Sequence, residues 1–175
     1  DVPELARPLE GAHPEGHFRG VATVVAKLLN IVRADRVYFG QKDYQQLVIV
    51  ELLVRDLNIP TEVVSVPTAR AEDGLALSSR NAYLSPDERL RALALSRALV
   101  AARASFEEGE RDAARLVDCA RATLHLTPGV RLDYLELRDA ESLASLHGRV
   151  IRPAVMAVAA FVGATRLIDN QLLAP

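Results

Sequence analysis

One cysteine, Cys119, stands among the 175 residues. That excludes an intrachain disulfide and fits a reducing compartment. Neither sign of charge dominates: 21 lysines and arginines face 23 aspartates and glutamates, for a net charge of −2. Such a balance gives no global pull toward nucleic acid or an anionic membrane. No apolar run approaches the ~20 residues that cross a bilayer, and the first residues lack a secretion-signal pattern. The chain opens on Asp1 rather than methionine, which reads as a piece of something longer. What is plentiful is apolar material, half of the residues, with a quarter charged. This suffices for a core in one ordinary domain or two small ones. Together these features read as a soluble, cytoplasmic chain with no nucleic-acid or membrane partner.

The opening stretch, "DVPELARPLEGAHPEGHF", is rich in Pro, Gly and His and predicts a loop. From Arg19 to Val32, Val21, Val24, Val25, Leu28, Leu29 and Val32 recur at helical spacing. A short strand, Arg36 to Phe39, ends at Gly40. Lys42 to Leu57 is apolar on most sides and predicts a helix between two covering layers, stopped by Asn58 and Pro60. Thr61 to Val66 is rich in β-branched residues and reads as a strand closed by Pro67. This is a parallel βαβ unit with a right-handed crossover. After a polar loop, Thr68 to Arg80, the "SPDE" of Ser85 to Glu88 is a capping box with Pro at the first helical position. Its helix runs to about Glu108, and a second runs from Asp112 to about Leu126, before Pro128-Gly129. Val130 to Leu137, Val150 to Val162 and Thr165 to Ile168 read as strands.

The change in element order places a boundary near Asn81 to Ser85. Residues 1–82 form a partial α/β domain and residues 83–175 a small α+β domain of two helices and a sheet. Two parallel strands are too few for a sheet that must be covered on both faces. The first unit therefore reads as the second half of a Rossmann-like sheet.

Two polar stretches stand out. "FGQKDYQQL" crowds a lysine, an aspartate and two glutamines onto the turn after a strand. In open α/β sheets ligands sit beyond the carboxyl ends of the strands, and a helix start favours anions. Lys42 suits phosphate, Asp43 suits ribose hydroxyls, and Gln45 and Gln46 point about 100° apart on a helix, so one of them faces the site. The plainer reading is a solvated helix start. "DGLALSSRN", Asp73 to Asn81, follows the second strand and offers Ser78, Ser79 and Arg80 to a polyphosphate, with Gly74 permitting the bend. The plainer reading is a decorated linker.

With "GHFRGVATVVAKLLNIV" before them and "TRLIDN" (Thr165 to Asn170) after them, these segments resemble the pantothenate synthetase (pantoate–β-alanine ligase) family along the whole chain. The resemblance implies a Rossmann-like nucleotidyltransferase domain and a smaller C-terminal domain. It implies ATP-dependent joining of pantoate to β-alanine through a pantoyl-adenylate, with Mg²⁺ on the phosphates, in a homodimer. Gly40, Gln41, Lys42 and Asp43 match the family's ATP segment, although many relatives have Glu at Gln41. Gln46 matches a pantoate-binding glutamine. Ala69 matches a position whose backbone meets the adenine. Leu77, Ser78, Ser79 and Arg80 match the triphosphate loop, and His17 a histidine near the nucleotide. Lys42, Ser78, Ser79 and Arg80 are expected to act in catalysis by stabilising charge that grows on the phosphates. The family's HxGH-type turn and a second pantoate-binding glutamine have no counterpart in these residues. "HPEGH" (His13 to His17) has no strand ahead of it and is not given that role. Residues 1–175 alone are therefore expected to be inactive.

Two alternatives remain at this level: another nucleotidyltransferase of the same superfamily, and a non-catalytic nucleotide-binding or interaction module. His13 and His17 lack companions for a metal site. His125 and His147 read as surface residues, and Cys119 as packing. Arg138-Asp139 and Arg166-Asp169 read as ion pairs or strand-end features, and Tyr134 and Phe161 as core.

Overall fold

The computed structural model describes residues 9–12 and 16–174; His13 lies outside them. The chain divides into two compact units between Pro67 and Thr68.

The first unit is the expected βαβ. Helix α1 (His17–Val32) begins two residues earlier than its spacing predicts and ends at Arg33, whose left-handed backbone (φ 53°) lets its N–H return to Leu29 O. Strand β1 (Arg36–Gly40) pairs in parallel with β2 (Glu62–Val66), Arg36 opposite Glu62 and Gly40 opposite Val66. Between them a 3₁₀ turn (Gln41–Asp43) leads into α2 (Tyr44–Asp56). The sequence predicts one continuous helix from Lys42; the tighter turn takes its first residues instead. Leu47, Val48, Ile49 and Val50 are all buried. Four consecutive positions sweep about 300° of a helix, so the first half of α2 is covered nearly all round.

The second unit is α+β. Ser85 and Glu88 close both halves of the capping box that starts α3 (Pro86–Glu107), as its sequence predicts. Helix α4 (Ala113–His125) starts at Asp112, whose carboxylate accepts from Arg115 N–H. The two helices pack on one face of an antiparallel sheet, β3 (Val130–Asp139), β4 (Ala154–Val162) and β5 (Thr165–Leu173), in that order. Alanines at 92, 94, 98 and 102 let α3 approach closely, and Leu95, Leu99, Leu116, Met156 and Val158 fill the space between. A bulge at Asp133 puts two residues of β3 opposite one of β4. It resets the alternation, so that Leu132 and Leu135 both face the core. At the β4–β5 turn Gly163 adopts φ 58°, which favours glycine, and a Cβ there would lie 1.9 Å from Glu88 Oε1, so a larger residue would push the Glu88 carboxylate aside.

Three expectations need correction. β4 starts at Ala154 rather than Val150, because Pro153 has no N–H to donate and the Val150 N–H goes to Arg111 O at 2.7 Å. β5 runs on past Ile168 to Leu173; the polar Asp169-Asn170-Gln171 breaks the apolar pattern but keeps the ladder with β4. Tyr134 and Phe161 are half-buried rather than core. They lie on the sheet face away from the helices, with Arg131 stacked 4.0 Å over Phe161 and Arg166 at 5.9 Å from Tyr134.

Candidate functional site

In the first unit, the strand end and the helix start meet at Gly40. Its backbone is ordinary extended (φ −72°, ψ 134°), and a Cβ built on it meets nothing within 4 Å. Neither the turn nor the packing requires glycine here. Gln41 and Lys42 follow, half-buried, and Asp43 is exposed. Asp43 occupies the N-cap of α2, yet its carboxylate accepts no capping hydrogen bond there. The adjacent glutamines part ways. Gln45 is buried and its Oε1 accepts from Glu10 N–H at 3.0 Å, which tethers the 3₁₀ turn Leu9–Ala12. Gln46 is half-buried. His17 is exposed at the start of α1, its ring edge-on to Phe18 at 5.0 Å.

In the second unit, residues 69–77 fold back on themselves. Leu77 N–H donates to Ala69 O and Ala71 N–H to Leu75 O, both at 2.9 Å, with Gly74 at φ 89° in the tip. Leu75 and Ala76 are buried, Leu75 in the core under α3. Asp73 accepts from Leu75 N–H at 3.1 Å and pairs with Arg89 at 2.9 Å. The Leu75 N–H, with Arg89 beyond it, holds the Asp73 carboxyl below the usual carboxylate range. Beyond this hairpin Ser78 is half-buried and extended, and its Oγ accepts from Arg80 N–H at 3.3 Å to open the 3₁₀ turn Ser79–Tyr83. Asn81 donates from Nδ2 to Ala76 O at 3.0 Å, while its buried Oδ1 has no partner among the described residues. Ala69, Leu77, Ser79 and Arg80 are exposed, so a backbone edge, a hydroxyl and a guanidinium stand in solvent on a loop whose base is tied down.

The predicted residues thus fall into two groups, one on each unit: His17 and Gly40 to Asp43 with Gln46, and Ala69 with Leu77 to Arg80. Of the acid–base pairs read from the sequence, two are re-partnered. Arg166 pairs with Asp133 at 2.8 Å, not with Asp169. Asp169 pairs with Arg70, and Arg138 with Glu136. Arg70 and Asp169 lie 99 residues apart, and no local pattern joins them; only the fold does. Among the described residues no three of His, Cys, Asp and Glu are grouped to hold a metal, and no helix is long and apolar enough to cross a membrane.

The pantoate–β-alanine ligase family model matches residues 1–172. The chain belongs to that family. It is 56% identical over 170 residues to pantothenate synthetase 1 of Bradyrhizobium diazoefficiens, covering 97% of this chain and 59% of that protein. The crystal structure of pantothenate synthetase from Thermus thermophilus superposes with a TM-score of 0.92 at 47% identity, over 98% of this chain and 62% of that one. The Francisella tularensis pantoate-β-alanine ligase, solved in complex with β,γ-ATP and β-alanine, matches with a TM-score of 0.65 at 31% identity, over 97% of this chain and 55% of that one. These likenesses assign the architecture: a Rossmann-like portion followed by a small α+β C-terminal unit. The chain spans about 59% of the length of the curated relatives it matches.

Proposed function

We propose that this chain is the nucleotide- and pantoate-handling portion of an ATP-dependent ligase that joins pantoate to β-alanine. The observation that carries this reading is the family match over residues 1–172. In the proposed reaction a carboxylate oxygen of pantoate attacks the α-phosphorus of MgATP in line, and pyrophosphate leaves. The β-alanine amine then attacks the acyl carbon of the adenylate and AMP leaves with the electron pair of the broken C–O bond.

Each residue then has a task. Gly40 leaves open space beside an extended backbone where nothing in the fold needs it, so a nucleotide has room to approach. Lys42, Ser78, Ser79 and Arg80 offset charge that grows on the phosphates in the transition state. Gln41 and Asp43 bind the nucleotide with His17, Leu77 and the Ala69 backbone, and Gln46 takes pantoate. The commitment of Gln45 to Glu10 supports that choice of glutamine. Mg²⁺ arrives on the phosphates as part of the substrate, the mode it prefers where few carboxylates converge. The resemblance to the family further supports a cytoplasmic homodimer.

Lys42→Ala, in the full-length chain that its gene encodes, tests the reading. A charge-assisted hydrogen bond is worth about 1.5–3 kcal/mol, so single-turnover adenylate formation should slow about ten- to a hundredfold, with pantoate affinity nearly unchanged. Adenylation at the unmodified rate removes Lys42 from the phosphates.

A further inference from the structure

We propose that the Arg70–Asp169 ion pair is the positioning element of the Ser78–Arg80 loop, setting where Ser79 and Arg80 stand to receive the phosphates of a nucleoside triphosphate. The inference rests on the phosphate role given to that loop above.

Arg70 sits in the hairpin of residues 69–77, opposite Ala76. Its guanidinium spans three acceptors: Asp169 Oδ2 at 2.6 Å, Asp169 Oδ1 at 3.0 Å and Gly74 O at 3.2 Å. One side chain therefore joins the hairpin tip to the middle of β5. The Asp169 side chain is only 3% exposed, and its Oδ1 also accepts from Asn170 N–H at 2.8 Å. The arm carrying Ala76 reaches Ser78 two residues later, and Asn81 Nδ2 returns to Ala76 O. The turn Ser79–Tyr83 also packs on β5. A shift at Arg70 is thus passed to Ser79 and Arg80 through very little intervening chain.

Stability alone does not ask for this pair. The Asp169 carboxylate is buried while the Arg70 side chain stays 30% exposed; burying even one partner of an ion pair is costly, and apolar residues of similar volume often hold such a place as well or better. A bidentate guanidinium–carboxylate contact adds a fixed distance and a fixed plane, which a lysine or an apolar pair does not supply. Arg80, by contrast, is exposed and makes no ion pair among the described residues, which leaves its charge available to a ligand.

The test is ATP–pyrophosphate exchange at saturating pantoate, with thermal melts, on full-length Arg70→Lys, Asp169→Asn and the double variant Arg70→Met/Asp169→Leu. Arg70→Lys and Asp169→Asn should lower kcat/KM for ATP at least about tenfold per folded molecule, leaving the pantoate KM unchanged. The double variant should recover the melting temperature but not the exchange rate. Normal exchange in Arg70→Lys, a loss that merely tracks the folded fraction, or full recovery of exchange in the double variant overturns the inference. Ser79→Ala and Arg80→Ala run alongside separate the two claims. If they slow exchange while Arg70→Lys does not, only the positioning role falls. If they leave exchange untouched, the phosphate role of the loop falls and the inference falls with it.

Discussion

The two units bury their apolar residues very differently. In the second, two helices close one face of a three-stranded sheet, and leucines, alanines and Met156 share one continuous core. In the first, two strands and two helices leave Val24, Leu28, Ile31 and Val32 exposed along α1, with Tyr38 63% exposed on β1. Positions 24, 28, 31 and 32 form a stripe at helical spacing, separate from the face through which Phe18 and Leu29 are buried. Helix α1 therefore carries two apolar faces and covers one. The second unit builds one continuous core and leaves single residues such as Leu90, Val100 and Leu126 exposed; the first keeps an apolar stripe in water, and its turn keeps a glycine, Gly40, that neither backbone conformation nor packing requires. Substitutions should therefore be felt unequally in the two units.

The largest expected effect lies in the closed core. Leu116 is fully buried in it, and Leu116→Ala should cost about 2–5 kcal/mol, read by urea unfolding and by loss of hydrogen-exchange protection in β4. A cost below about 1 kcal/mol means that the core relaxes into the cavity and is less closed than its burial implies.

A smaller effect is expected at Asp139, at the end of β3. Burial would raise its carboxyl, but the Ser142 N–H and hydroxyl and the Glu141 N–H, with Arg152 beyond, outweigh burial and hold it below the ordinary range. The lowered folded value means that its stabilisation is fully present above the ordinary carboxylate pKa. That stabilisation is lost as pH falls through the ordinary value toward the folded one. Asp139→Asn should cost about 1–3 kcal/mol near neutrality, and the two proteins should converge below about pH 4. Urea midpoints across pH check this; a constant gap down to pH ~3 removes the carboxylate from the account.

The smallest effect is expected on the open stripe. Leu28→Ser and Ile31→Ser should change stability by no more than about 0.5 kcal/mol, because both side chains are already largely in solvent. A loss of about 2 kcal/mol or more in the full-length chain shows that the stripe is covered there, and would sharpen the contrast into one between a closed unit and an interface.

Much of this was legible in the sequence because it is local. The capping box at Ser85 and Glu88, the β-branched run before Pro67 and the helical spacing of α1 act over a few residues, where backbone propensity and period decide. The candidate site was proposed at the same short range: Gly40 to Asp43 and Ser78 to Arg80 are contiguous segments, and the family resemblance is what turns their residue types into a nucleotide role. Element ends were less legible. Pro153 and the polar middle of β5 change meaning once β4 is there to pair with. The tertiary structure alone decided that Gln45 is spent on Glu10 while its neighbour is not, and that Asp169 belongs to Arg70 rather than to Arg166. The physical reason is distance along the chain. A charge 99 residues away leaves no trace in local periodicity, yet a buried carboxylate must find a partner, and only the folded chain brings that partner within 3 Å.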